Sequence, residues 1–486
     1  MAGKCFALGL GLGLFFSTHG FSKALLVPEY FPQKTVFLTL VPEGENTVQF
    51  ERLAKIMAVL QSKSVPTTVF VGMPSCEQIV EKKGVYDGYE LTEAERKRGI
   101  VAKLEQRANH HCGRDYGSCS MPRIHYICLS HHSHWLRNEF PLETLDEKTR
   151  KPIRYSVGRR SSIIPALKRM GETIDSIPIK ANGPASFSTD TLGGNLYAST
   201  DLWRLNPDLS PAQIEETLRK SLTFKTLVWL KPNPWERSMD LDTVVMFAKS
   251  KDGNIHAFLA THPKSVLRAA GHVDGYTFFT KPYPTKEELL SCESIQSFEA
   301  QGSSRLCWEL ALRDDESMRA HWKRRIPGSL DREIQARCPA FTQLKSCLER
   351  VASEKNNQAW ENDRENYATL KASGFPEERI HLVENAGIYQ TGFNLEHTQA
   401  PGYVNGLIVE DRYIMPTYPS MKDLDPGLDY SQIPEVQSAF LEISESDLKA
   451  QEAFESVFDR VVTVRSDGLT GGAIHCTTFS HYREPK

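Results

Sequence analysis

The chain has 486 residues, enough for up to three domains or for one large α/β domain with insertions, at roughly 150 residues per domain. Its 58 Lys+Arg and 61 Asp+Glu leave a net charge of -3, with 40% apolar and 24% charged residues. That balance excludes a strongly basic nucleic-acid binder and an acidic tail, and it predicts a chain able to bury a substantial core.

In chain order, the first 24 residues read as a secretory signal peptide. Lys4 gives a weakly basic start, and Cys5 to Phe16 is an apolar stretch broken by glycines. Ser22-Lys23-Ala24 then offers small residues for cleavage after Ala24. The stretch is too short to span a bilayer, and no other apolar run reaches about 18 residues. The mature chain is therefore expected to be secreted or periplasmic, without a membrane partner.

Export makes the ten cysteines informative. Cys5 leaves with the leader. Eight others fall into two local groups, Cys76, Cys112, Cys119 and Cys128, then Cys292, Cys307, Cys338 and Cys347. Cys476 stands alone. The expectation is four disulfides of open connectivity and one free thiol at Cys476.

Short β-branched runs at 35–40 and 67–71 flank a helical spacing at 48–62, a strand–helix–strand unit. A strand is expected at 124–129, ahead of the polar run Ser130 to His134. Helices follow at 162–170 and 211–221, the second starting at Pro211 behind a Ser210 cap. Strands follow at 226–230, 243–248 and 255–260. Residues 284–365 are charged, helical in pattern and hold four cysteines, and read as an insertion between an N-terminal part (25–283) and a C-terminal part (366–486). A helix over 361–372 stops at Ser373-Gly374. Strands at 379–383, 406–410, 412–416 and 460–464 complete an α/β chain, with a surface turn expected at Arg465-Ser466-Asp467-Gly468.

The strongest chemical signal is Gly471-Gly472-Ala473-Ile474-His475-Cys476-Thr477-Thr478, a glycine-rich turn beside a cysteine that a suitable environment could make nucleophilic. This segment resembles the C-terminal motif of the agmatine deiminase and bacterial peptidylarginine deiminase family, within the guanidine-modifying superfamily. Other segments fall in that family's order. Ile124–Pro141 resembles the strand leading into its Trp-x-Arg-Asp motif, and Leu192–Leu196 its Glu-Gly-Gly-Asn element. Ser238–Ala260 resembles the segment carrying His-x-Asp, and Tyr403–Pro419 a late strand pair with an asparagine, here Asn405. The resemblance covers most of 35–486 outside the insertion. It implies a five-bladed α/β propeller (pentein) and a hydrolase acting on a guanidino compound or an arginine-containing peptide, without a cofactor or metal. Secretion favours the peptide.

In that chemistry carboxylates clamp the planar guanidinium, a cysteine thiolate attacks its carbon, and a histidine moves protons as ammonia leaves. Here Cys476 matches the nucleophile and Asp242 the Asp of His-x-Asp. The family's His falls on Asp240, its Asp on Asn138 and its Glu on Leu192. The altered set implies an alternative, a catalytically impaired relative that binds a ligand or protein in the same cavity. Two other segments imitate the missing pieces: His272 and Asp274 in Gly-His-Val-Asp, and Asp115 after Arg114. Both are read as surface-loop residues. His131, His132 and His134, with His110 and His111, could hold zinc, but a polar loop is the preferred reading. The stretches at 35–40 and 67–71 also faintly resemble polysaccharide deacetylases, yet Val41-Pro42-Glu43 stands where that family's metal-binding Asp pair would be.

Titration of free thiols in the denatured, unreduced mature chain should count one. A count of zero or three would overturn the four-disulfide expectation.

Overall fold

The computed structural model describes residues 23–40, 48–72, 75–80, 88–117, 119, 124–129, 136–158, 161, 163–169, 171–234, 239–262, 270–273, 276–279, 319, 323–324, 326, 328–338, 341–385, 389–390, 398–399, 402–418, 434–466, 474–475 and 478–482. In chain order the elements used below begin with β1 (Ala24–Leu26), β2 (Gln33–Leu40), α1 (Val48–Ser62), β3 (Thr67–Gly72), α2 (Gly99–Tyr116) and β4 (Ile124–Leu129). Next come α3 (Leu136–Glu139), β5 (Leu142–Asp146), β6 (Pro152–Val157), α4 (Ile163–Arg169) and β7 (Ile174–Ile177). Then follow β8 (Phe187–Thr189), β9 (Leu196–Ser199), α5 (Pro211–Ser221), β10 (Leu227–Leu230), β11 (Val245–Lys249) and β12 (Ile255–Thr261). The last are α6 (Phe341–Ala372), β13 (Ile380–Glu384), β14 (Leu407–Val409), β15 (Arg412–Thr417), α7 (Pro434–Glu455), β16 (Arg460–Arg465) and β17 (Thr478–Tyr482).

Among the described residues five small mixed sheets share one construction. An antiparallel strand pair is followed by a helix and then by a third strand parallel to the second. The set is β5-β6-α4-β7, then β8-β9-α5-β10, β11-β12-α6-β13 and β14-β15-α7-β16. The fifth joins the two ends of the chain: β17 pairs antiparallel with β2, α1 follows, and β3 runs parallel to β2, with β4 added on its far side. The short connection cannot cross over a sheet, so each parallel step takes a helix.

Sequence explains these elements locally. On α1, Leu53, Ile56, Met57 and Leu60 recur at helical spacing and are buried. The expected cap of α5 is a full capping box: the Gln213 backbone N–H donates to Ser210 Oγ (3.3 Å) and the Gln213 side chain accepts from the Ser210 N–H (2.8 Å). Near its C-terminal end α6 is pinned by Asn366, which exchanges hydrogen bonds with the Lys231 backbone at 2.8 and 2.9 Å. This helix runs without a break through residue 365, where the insertion was expected to end.

Several details differ from the sequence reading. Ala24, placed at the cleavage point, is fully buried in β1 opposite Asp146. Arg114 and Asp115 sit in the last turn of α2, not in a loop, and pair with each other at 2.6 Å. Ser466 is fully buried and accepts from Arg52 Nη1 (3.2 Å), so the stretch beginning at Arg465 is not a surface turn there. His272 lies in a two-stranded hairpin, Ala270–Val273 with Tyr276–Phe279, while Asp274 and His131 to His134 fall outside the described residues. Among the described residues no group of His, Cys, Asp and Glu is arranged to hold a metal ion.

Disulfides join Cys76 to Cys128 and Cys112 to Cys119, both within the first cysteine group, and Cys338 and Cys347 are also disulfide-bonded. Among the described residues no helix is long and apolar enough to cross a membrane.

Where the chain ends meet, Phe479 of β17 stacks on Phe140 (centroids 4.3 Å apart) beside Phe37 of β2. Phe479→Ala should cost about 3–5 kcal/mol, read as a lower denaturant midpoint at unchanged m-value; a loss under about 1 kcal/mol would show that this aromatic cluster does not hold the ends together.

Candidate functional site

The segment just ahead of the first strand of each module carries a buried polar residue, and these five segments touch one another. Arg137 and Asn138 lie on α3 before β5, Asn182 before β8, Asp240 and Asp242 before β11, Asn405 before β14, and His475 before β17. All are at least 90% buried.

Asp240 accepts hydrogen bonds from the side-chain amides of Asn182 (2.9 Å) and Asn138 (3.3 Å), one on each carboxylate oxygen. Two residues on, Asp242 Oδ2 lies 2.9 Å from His475 Nδ1 and 3.6 Å from Arg137 Nε. Asn405 donates its amide to the Asp242 carbonyl (3.2 Å) and accepts the His475 backbone N–H on its own carbonyl (3.1 Å). A fifth ionisable side chain, Glu29, follows β1: it pairs with Arg137 Nη2 and stands 3.1 Å from His475 Nε2.

Two glycines allow this close approach. Gly183 has φ +61°, and a Cβ there would lie 2.7 Å from the Arg137 carbonyl oxygen and 2.8 Å from that of Asn138. At Gly406 a Cβ would meet the Ile414 carbonyl and the Tyr413 hydroxyl at 2.4 Å, and that hydroxyl instead accepts the Gly406 N–H (2.9 Å).

Burial pushes the His475 imidazole down to about 4, helped by the neighbouring Arg137 guanidinium and opposed by the Asp242 carboxylate. The ring is thus neutral near pH 7 and has one N–H, which it can donate to only one of its two carboxylate neighbours. A neutral imidazole oriented by a carboxylate is the arrangement of a general base.

The structure therefore brings together Asp242, Asp240, Asn138 and Asn405 from the sequence-derived set. Cys476 lies outside the described residues, between His475 and Thr478. Asp115 belongs to the local pair on α2 described above. Leu192 packs beside the small cluster of Val27, Phe31, Leu145 and Tyr482. A carboxylate does stand two residues earlier, at Asp190, but it is committed to the Asn195 backbone N–H (2.9 Å), the Asn195 amide (3.0 Å) and the Tyr197 hydroxyl (3.1 Å). Glu29, Asn182 and His475 were not assigned roles from sequence. Glu29 carried a signal, being the sole charged residue in the run Leu25–Pro32. Asn182 carried none.

No protein-family model and no curated protein sequence matches the chain. Solved structures share its fold. A cysteine-to-serine variant of C. jejuni agmatine deiminase with substrate bound aligns over 95% of this chain and 97% of its own, at TM-score 0.52 and 11% identity. A candidate arginine deiminase from Porphyromonas gingivalis aligns over 95% and 99%, at TM-score 0.52 and 14% identity. The chain has an α/β fold matching that of the agmatine deiminase structure.

The buried ring gives a pH signature. His475 has a folded value of about 4 against roughly 6.5 unfolded. The unfolded ring therefore binds a proton between those values that the native ring refuses. Its contribution is complete above about pH 6.5 and declines as pH falls through about 4, by ~3 kcal/mol in all. Urea midpoints at pH 7.5 and 4.5 should differ more in the wild type than in His475→Asn; equal differences would show that the ring titrates as in water.

Proposed function

We propose that the chain recognises a guanidino group and hydrolyses it through Cys476, with His475 as the proton-transferring imidazole and Asp242 and Glu29 as the anionic side of the site. The observation that carries this reading is the buried His475–Asp242 contact, 2.9 Å long, immediately before Cys476 in the chain. A guanidinium is a planar cation, and carboxylates hold it by paired, charge-assisted hydrogen bonds. The likeness to a substrate-bound agmatine deiminase supports the substrate class. The five modules would stand as propeller blades around the converging segments. In this reading the thiolate attacks the guanidino carbon, ammonia departs with a proton from the imidazolium, and water releases the ureido product. The protein would act outside the cytoplasm after loss of its leader, a setting that favours peptidyl-arginine over agmatine.

One observation favours a second reading, a site that binds without turnover. Asp240, at the position where the resemblance calls for a histidine, has both oxygens committed to Asn138 and Asn182. Leu192 supplies no charge, and Asn138 cannot neutralise a cation.

Ammonia and ureido-product release from arginyl peptides and agmatine separates the two. Turnover falling by about three orders of magnitude in Cys476→Ala is expected for the enzyme. No release from the wild type, with agmatine or an arginyl peptide still bound, would leave the binder.

A further inference from the structure

The third module carries buried polar groups that the guanidino site does not use. His262 follows β12 and is 7% exposed. Its backbone N–H donates to Asp363 Oδ2 (2.6 Å), and its Nδ1 lies 3.0 and 3.1 Å from the two oxygens of the same carboxylate. A carboxylate acceptor fixes the ring proton on Nδ1, so Nε2 presents a lone pair. That Nε2 is buried and has no hydrogen-bond partner among the described residues. In the adjacent parallel strand, Asn385 follows β13 and is 1% exposed. Its backbone N–H donates to the Thr261 carbonyl (2.7 Å), which places it beside His262. Among the described residues neither Nδ2 nor Oδ1 of its side chain has a hydrogen-bond partner.

Buried imidazole and amide groups left bare forfeit the hydrogen bonds they had in water. Two such side chains at neighbouring positions, one held in a single tautomer by Asp363, are built to receive a polar partner. They stand at the same end of the sheet as the guanidino site. In the antiparallel pair β11–β12, Val245 faces Leu259 and the Ala260 N–H reaches the Val244 carbonyl. The chain just ahead of β11 carries Asp242, in the 3-10 turn Leu241–Thr243, and the chain just after Ala260 carries His262, at the same end of two strands that lie one spacing of about 4.8 Å apart. The bare set is one acceptor nitrogen, one NH2 donor and one carbonyl acceptor. Its complement is an amide, whose N–H can donate to His262 Nε2 or Asn385 Oδ1 and whose C=O can accept from Asn385 Nδ2.

We propose that His262 and Asn385 form a recognition site for a peptide amide beside the guanidino site, so that this end of the module selects arginine within a peptide over a small guanidino amine. The selection rests on the guanidino reading above; the amide site rests on His262, Asp363 and Asn385 alone.

The test follows the His262 Nε2 resonance in 15N-histidine-labelled protein, assigned by its loss in His262→Gln. Three probes are added: N-acetylglycine amide, N-acetylarginine amide and agmatine. Both amides should move Nε2 and agmatine should not. Asn385→Ala should weaken both amides about tenfold while leaving agmatine affinity unchanged. An Nε2 signal unmoved by either amide overturns the proposal, leaving a site for internal water only, even where N-acetylarginine amide binds elsewhere. Should N-acetylglycine amide move Nε2 while agmatine fails to bind at all, the amide site stands and the guanidino reading falls.

Discussion

Two carboxylates on one turn, Asp240 and Asp242, are buried together at the meeting point of all five modules. A carboxylate removed from water stands only when its oxygens are hydrogen-bonded or paired; otherwise it costs several kcal/mol. The donors that satisfy them come from different modules: Asn138 and Arg137 from the first, Asn182 from the second, His475 from the fifth. Asn405 of the fourth module binds the backbone at the same place. The same hydrogen bonds that make the buried charges tolerable also set the mutual positions of the module ends. Displacing the segment that carries Asn138, Asn182 or His475 strips a partner from one of these carboxylates, so convergence of those segments and charge satisfaction are one constraint.

The fifth module ties this constraint to the chain termini. Its first strand, β17, is C-terminal and its second, β2, is N-terminal. The pairing carries His475 to the centre from one end of the sequence, while Glu29, three residues past β1, arrives from the other. Aromatic packing of Phe37, Phe140 and Phe479, with His481 edge-on to Phe37, fixes the depth at which the two ends meet. His481 in turn contacts Glu143, which Arg154 also holds at 3.0 Å. These two contacts with His481 and Arg154 keep the Glu143 carboxyl below the usual carboxylate range despite its burial.

What the sequence made legible follows from how each element is stabilised. The strand at 124–129 and the helices at 48–62 and 211–221 appear with the expected bounds, because apolar periodicity and capping residues mark them. The strands Leu142–Asp146 and Pro152–Val157 were not anticipated: they are buried through ion pairs such as Glu143–Arg154, and a strand stabilised by charge shows no apolar alternation. Helix Gly99–Tyr116 did carry a signal, with Val101, Leu104, Ala108 and Cys112 buried at helical spacing, but its charged faces and histidines obscured it. In the site, Asp242, Asp240 and Asn138 were found through motif order. Glu29 and Asn182 were not, since each reaches the site from a segment with no motif. His475 was seen only as a neighbour of the cysteine, because the carboxylate it contacts lies 233 positions away.

Proton handling is where this site departs furthest from the chemistry that the resemblance implies. A carboxylate with both oxygens accepting amide hydrogen bonds, as at Asp240, is held as an acceptor and cannot serve as a mobile acid. The imidazole in contact with the site's carboxylates is His475, whose burial makes it a weak base. A weak base takes a thiol proton only if the imidazolium it becomes is stabilised at once. Here Asp242 and Glu29 flank the two ring nitrogens, at 2.9 and 3.1 Å. The charged ring would have two N–H groups for those two acceptors, whereas the neutral ring has one. Proton transfer from the thiol would complete a hydrogen bond that the resting ring cannot make, and release of that proton to departing ammonia would undo it. In the hydrolytic reading proposed above, the site can lose the imidazole expected at position 240 and still move a proton, provided that His475 carries it.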